Sequence, residues 1–255
     1  MKEDLQRYKM LLGYDGTDCF GWQAQPAHRT VQGELERALK ELTGETVRIH
    51  SSGRTDRGVH AREQVAHFDL EKPVVLRKLL LGFNALLGED IRVFSIRKTA
   101  PDFHARYDAA GKEYRYFIWN GPVLPPWLRR YRAQVRPPLD VRAMARAAAL
   151  LVGRHDFAAF SANPNREIDG TVRHLRELKV RRRGRELVLV ARGDGFLYKM
   201  VRSLAGFLIR VGSGELPPEA ARTILDTKTR TARVPTAAPE GLFLWKVTYA
   251  SSRPS

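Results

Sequence analysis

The chain has 255 residues, with 44 Lys and Arg against 28 Asp and Glu, a net charge of +16 and a pI near 10.4. That length suits one large domain or two of ordinary size. There is no apolar run near the roughly 18 residues of a transmembrane helix, the start MKEDLQRYKM is too charged for a signal-peptide core, and the single Cys19 excludes an internal disulfide or a multi-cysteine zinc site. Together these features read as cytoplasmic. The charge favours a polyanionic partner, with nucleic acid ahead of a merely solubilising role and of a membrane surface. Arg outnumbers Lys about three to one; guanidinium groups grip phosphates and stack on bases, although GC-rich codon usage gives the same bias.

Arg7 to Tyr14 alternates as a first strand and turns at Asp15-Gly16. Val31, Leu35, Ala38, Leu39 and Leu42 share one helical face after the cap Thr30, and Gly44 closes the helix. Val47 and Ile49 begin a short strand, Val65 to Leu70 is another, Leu76 to Leu87 is a second helix ending at Gly88, and Ile91 to Arg97 is a strand. This order predicts a βαββαβ-like α+β half over residues 1–103.

Residues 104–255 show a similar rhythm. Glu113 to Trp119 is a strand with Tyr114, Tyr116 and Ile118 on one side and Arg115, Phe117 and Trp119 on the other. A Pro- and Arg-rich excursion, Pro122 to Pro138, precedes a helix from the cap Asp140 to Gly153. Val172 to Arg182 and Glu186 to Arg192 form a hairpin turning at Arg183-Gly184. Leu197, Met200, Val201, Leu204, Leu208 and Val211 make a helical stripe, followed by a short helix after Pro217-Pro218 and a last strand, Leu242 to Tyr249.

The chemistry-bearing stretch is Ser51 to Leu70, SSGRTDRGVHAREQVAHFDL. It sets Asp56 between Arg54 and Arg57, ahead of Gly58 and His60. A short acid on a glycine-bounded loop hemmed by cations is either a structural ion pair or a carboxylate held ionised for chemistry. GRTDRGVHA (Gly53 to Ala61) resembles the active-site loop of the tRNA pseudouridine synthase A family. YDGTDCFGWQAQP at the start, FHARYDAAGKEYRYFIWN (Phe103 to Asn120), HDFAAFSA around Asp156, FLYKMVRSLAG (Phe196 to Gly206) and EGLFLWKV resemble further blocks of that family in the same order. The similarity spans nearly the whole chain. Arg57 departs from the family, which usually has a small residue there.

The resemblance implies two similar α+β halves with mainly antiparallel sheets, joined around a central basic cleft with helices on the outer face. It implies an isomerase that moves the ribosyl bond of a tRNA uridine from N1 to C5, at about positions 38–40 of the anticodon stem-loop, reading the RNA by shape. It further implies a homodimer and neither metal nor other cofactor. Asp56 then carries the catalytic carboxylate, Tyr114 stacks on the target uracil, and Arg202 pairs with Asp56; from pattern alone Arg202 reads first as the polar face of an amphipathic helix, and Tyr114 first as a core residue of a strand. Arg54 either enters the RNA stem or binds phosphate, and Arg106 either contacts phosphate or positions its loop. His60 reads as a hydrogen-bonded structural histidine ahead of a general base. Arg57, pointing outward, and Arg129, Arg130, Arg132, Arg136, Arg181, Arg182, Arg183 and Arg185 are either phosphate contacts or solvated faces. The rival is a non-catalytic RNA-binding protein, which leaves the Asp56 loop idle. A glycosidase wants a second carboxylate, a nuclease an acidic metal cluster and a nucleotide hydrolase a Walker loop; none is present in a recognisable motif.

Overall fold

The computed structural model describes residues 5–163 and 170–250, which fold as two compact units. One holds the described chain up to Ala110 together with the closing stretch from Leu244; the other is Gly111–Phe243.

The first unit runs β1 (Gln6–Tyr14), α1 (Val31–Thr43), β2 (His50–Ser51), β3 (His60–Leu70), α2 (Leu76–Leu86) and β4 (Ile91–Lys98), the βαββαβ order that the sequence predicts. β1 lies between β4 and β3, antiparallel to both, and β2 pairs antiparallel with β3 at Ala66 and His67. Alternation along β1 buries Tyr8, Met10 and Leu12, and Tyr8 stacks on its cross-strand partner Phe68 at 5.5 Å. Thr30 caps α1 by accepting the Gly33 N–H at 3.2 Å, and Gly44 ends it in the left-handed region at φ +79. Val31, Leu35, Ala38 and Leu39 fill the core under this helix, while Leu42 lies at its margin, 36% exposed. The strand expected from Val47 begins only at His50. The Ile49 N–H donates to Glu36 Oε1 (2.9 Å) and its carbonyl accepts from Gln32 Nε2 (3.1 Å), so helix side chains take the groups that a neighbouring strand would need.

The second unit takes in β5 (Ala109–Asn120) from Gly111 onward, then β6 (Ala133–Val135), α3 (Val141–Leu151), β7 (Gly153–Asp156), β8 (Val172–Arg183), β9 (Glu186–Gly193), α4 (Met200–Gly212) and α5 (Ala220–Thr227). Its strand order is β5-β9-β8-β7, all antiparallel, with β6 alone pairing parallel to β5. β6 lies inside the Pro- and Arg-rich excursion and carries no alternation long enough to announce it. Asp140 caps α3 by accepting the N–H groups of Arg142 and Ala143. That helix stops at Leu151, short of Gly153, which starts β7 with φ +125. Leu197 of the expected stripe stays outside α4, because Lys199 adopts a left-handed φ of +58 and the helix begins after it. The hairpin turns one residue later than the sequence predicts, at Gly184-Arg185, because Arg183 still pairs with Glu186 and Gly184 takes the left-handed φ of +60. Phe157, Phe160, Leu204, Phe207 and Leu208 build the core beneath α4. The last strand, β10 (Leu242–Tyr249), follows β3 in the strand order, and from Leu244 onward it belongs to the first unit. Tyr249 Oη donates to the Ala105 carbonyl there at 2.6 Å. Among the described residues no helix is long and apolar enough to cross a membrane.

Candidate active-site elements

In the first unit, Asp56 sits partly exposed on the loop between β2 and β3. Buried polar contacts brace this loop from within the unit. Gln64 is fully buried, accepts from Ser52 Oγ at 2.6 Å and donates to the Gly53 carbonyl at 2.8 Å. Its amide also reaches the Tyr14 hydroxyl at 3.4 Å, and that hydroxyl bonds Thr55 Oγ1 at 2.8 Å. Burial pushes the Tyr14 phenol up to about 12, so the group stays protonated and keeps its place in the network.

A second segment, residues 15–22, braces the same loop. Trp22 N–H donates to the Thr55 carbonyl (3.1 Å) and Gly58 N–H to the Cys19 carbonyl (3.4 Å). A Cβ on Gly16 would lie 2.0 Å from the Val59 carbonyl oxygen, and one on Gly21, at φ +83, would lie 2.6 Å from that of Thr55. Only glycine lets the two backbones approach this closely. The support shell thus explains the YDGTDCFGW block: its glycines are contact points for the Asp56 loop. The sequence shows this block without its purpose; the pair of glycines flanking Cys19 is the signal that points to it. Burial raises the Cys19 thiol to about 11, which leaves it an inert packing group. His60 is fully buried, and its Nδ1 accepts the Gly16 N–H at 3.1 Å, a bracing contact in the same shell.

The flanking arginines differ. Arg54 is exposed. Arg57 is also exposed, but its guanidinium lies 4.0 Å above the Phe20 ring, and Phe20 stacks in turn on His28 at 3.9 Å. Arg106 is exposed beside Tyr107, and its N–H donates to His104 Nδ1 at 3.1 Å.

In the second unit, Tyr114 is 8% exposed on β5, and Phe196 meets it edge-on at 5.1 Å. Phe196 comes from the loop after β9, where Asp194 Oδ1 accepts the N–H groups of His174 and Gly195. On the neighbouring residue, burial pushes Glu113 up, but hydrogen bonds from Arg115 and Arg192 overcome it and hold the carboxyl low. Tyr116 lies deeper and donates to the Ala238 carbonyl at 2.9 Å. Arg202 stands in the first turn of α4. Its Nε donates to the Ala237 carbonyl (2.8 Å), and the Ala237 N–H returns a bond to the Arg202 carbonyl (3.0 Å). Arg132 is held by Glu186 and lies over Phe117 at 4.2 Å. Arg129, Arg130, Arg136, Arg181, Arg182, Arg183 and Arg185 are exposed. Among the described residues no group of three His, Cys, Asp or Glu could hold a metal ion.

The model of the family described as tRNA pseudouridine synthase matches residues 10–108 and 147–250. Asp56 falls in the first matched stretch and Arg202 in the second, with Tyr114 between them. The chain is 42% identical over 252 residues to the tRNA pseudouridine synthase A of Maridesulfovibrio salexigens, covering 97% of this chain and 92% of that protein. It is 43% identical over 245 residues to the Brevibacillus brevis protein of the same name, covering 96% and 100%, and 45% identical over 245 residues to that of Moorella thermoacetica, covering 94% and 98%. With the braced aspartate loop inside the first matched stretch and the α4 arginine inside the second, the chain belongs to the tRNA pseudouridine synthase family.

Proposed function

We infer that this protein isomerises uridine to pseudouridine in tRNA, at positions 38–40 of the anticodon stem-loop, with Asp56 as its catalytic carboxylate. In this reaction the N1–C1′ bond breaks and a C5–C1′ bond forms; the C5 proton leaves and N1 takes one up. Asp56 supplies the ionised carboxylate at the ribosyl-uracil. Arg202 keeps that carboxylate charged in a site from which a bound base excludes water. Tyr114 is the stacking platform for the everted uracil, whose unstacking costs a few kcal/mol, and its phenol assists removal of the C5 proton. Arg54 and Arg106 contact the RNA near the target nucleotide. Arg57, Arg129, Arg130, Arg181 and Arg182 contact its backbone; Arg132, tied to Glu186, contributes least.

The family match on both sides of Tyr114 carries this reading. It is supported by the close bracing of the Asp56 loop, since a group that must meet a reacting atom gains from a rigid mount. The protein works in the cytoplasm, as a homodimer whose two copies share one tRNA. The test is release of tritium from C5-labelled uridine in anticodon-arm transcripts. Wild type releases it; Asp56→Asn and Arg202→Ala lose it by orders of magnitude, and Tyr114→Phe keeps substrate binding but slows release. A wild-type protein that binds the transcript without releasing tritium is an RNA-binding module, and the enzymatic reading fails.

A further inference from the structure

Arg230 lies outside every motif that the sequence singles out, yet it sits half-buried at the point where the chain after α5 crosses α4. One terminal nitrogen donates to Ser203 Oγ at 2.7 Å and to the Phe160 carbonyl at 3.4 Å; the other donates to Thr236 Oγ1 at 2.8 Å. Among the described residues these partners are all neutral. Burial pulls the guanidinium below the usual arginine range, so the charge is kept there without a carboxylate to stabilise it.

The placement explains what it does. Ser203 follows Arg202 on α4, and Thr236 precedes Ala237 on the crossing segment. Arg230 therefore joins positions 203 and 236, directly beside the reciprocal pair of bonds that joins 202 and 237. Two more contacts seat the same segment: Arg210 donates to the Ala232 carbonyl at 2.7 Å, and a Cβ on Gly206 would come within 2.1 Å of the Pro235 carbonyl oxygen. Residues 202, 203, 206 and 210 share one face of α4.

We propose that Arg230 is a positioning residue for the uridine isomerisation: through Thr236 and Ser203 it clamps residues 230–238 onto α4, so that the Ala237 carbonyl fixes the direction of the Arg202 guanidinium. The inference rests on the catalytic role given to Arg202. A planar guanidinium suits the task because its two terminal nitrogens span two hydroxyls at once, which a lysine does not.

Thr236→Val keeps shape and removes one anchor; Arg230→Lys keeps charge and loses the fork. Each is expected to lower kcat about tenfold with KM for the transcript changed less than twofold, because a misdirected group costs up to about 100-fold per Å. In an Arg202→Lys background, which has no Nε to bond Ala237, Thr236→Val is expected to cost nothing further. A purely structural role would give the same loss in both backgrounds and would overturn the proposal, as would wild-type kcat in Thr236→Val while Arg202→Ala is inactive. Wild-type turnover in Arg202→Ala would instead overturn the role of Arg202 itself, and the clamp with it.

Discussion

Gly16→Ala tests whether the segment before α1 exists to hold the Asp56 loop. The added methyl would stand 2.0 Å from the Val59 carbonyl oxygen, 2.6 Å from its carbon and 3.2 Å from its nitrogen. All three atoms are backbone, so no side chain can swing aside, and the two segments must part by roughly 1.4 Å to reach ordinary contact. Overpacking of this kind costs about 1–3 kcal/mol, or a melting point lower by roughly 2–4 °C per kcal/mol at this chain length. Val59 N–H is bonded to the Asp56 backbone carbonyl at 3.1 Å, so the displacement reaches the backbone that carries the carboxylate. A 1 Å error at a reacting group costs up to about 100-fold in rate. Gly44→Ala is the matched control. Its φ of +79 penalises alanine by about 1–2 kcal/mol, but nothing lies within 4 Å of the added Cβ and the Gly44 N–H closes α1 on the Lys40 carbonyl at 2.8 Å. Tritium release should therefore fall between 10- and 100-fold in Gly16→Ala and stay at the wild-type rate in Gly44→Ala, with both melting a few degrees lower. Equal rates in the two variants would refute the bracing argument.

Two further outcomes follow from the charges. Burial, then the nearby His104, His50 and Arg7, lowers the His67 imidazole to about 4 against the weaker pull of Asp69, while the unfolded chain takes that proton near 6.5. Between those values the unfolded state binds more protons, so stability falls as pH drops from about 6.5 to 4 and levels off below, by about 3 kcal/mol in all. Denaturant titrations at pH 7 and 4.5 should show His67→Asn, whose Oδ1 can still accept the Ala105 N–H now donated to Nδ1 at 3.2 Å, losing less than wild type; equal losses would rule this out. Affinity for an anticodon-arm transcript should fall linearly in log–log salt plots, and Arg181→Gln with Arg182→Gln should make the slope shallower by about one to two. An unchanged slope would remove β8 from the RNA footprint.

Local chemistry made much of this fold readable. Thr30 and Gly44 frame α1 because an Oγ acceptor and a residue free to take positive φ are each required at one position. The β8–β9 hairpin, to within one residue of its turn, and the bounds of Leu242–Tyr249 were legible for the same reason: turn chemistry and period 2 act over a few residues. What stayed hidden depends on partners distant in sequence. β6 is three residues long and exists because the last residues of β5, Ile118 to Asn120, take it as a parallel partner. Gln64 reads as one polar residue in an alternating strand, and only the folded loop shows it gathering Ser52, Gly53 and Tyr14.

The arginines show the same limit most sharply, and they bear on function. A net charge of +16 points to a polyanion, but it does not say which cations meet one. Arg7 is committed to Asp69, Arg29 to Asp90, Arg115 and Arg192 to Glu113, Arg132 to Glu186 and Arg210 to Glu215. Arg230 works inside the second unit on hydroxyls. A guanidinium already bonded to a carboxylate releases few counterions when RNA arrives, so the salt slope must count the exposed side chains rather than the composition. The interior arginines do a different job. They turn a charge that would be phosphate-binding on the surface into directed hydrogen bonds that hold backbone in place, and, on the catalytic role proposed for Arg202, the segment carrying Ala237 is where that conversion would reach the chemistry.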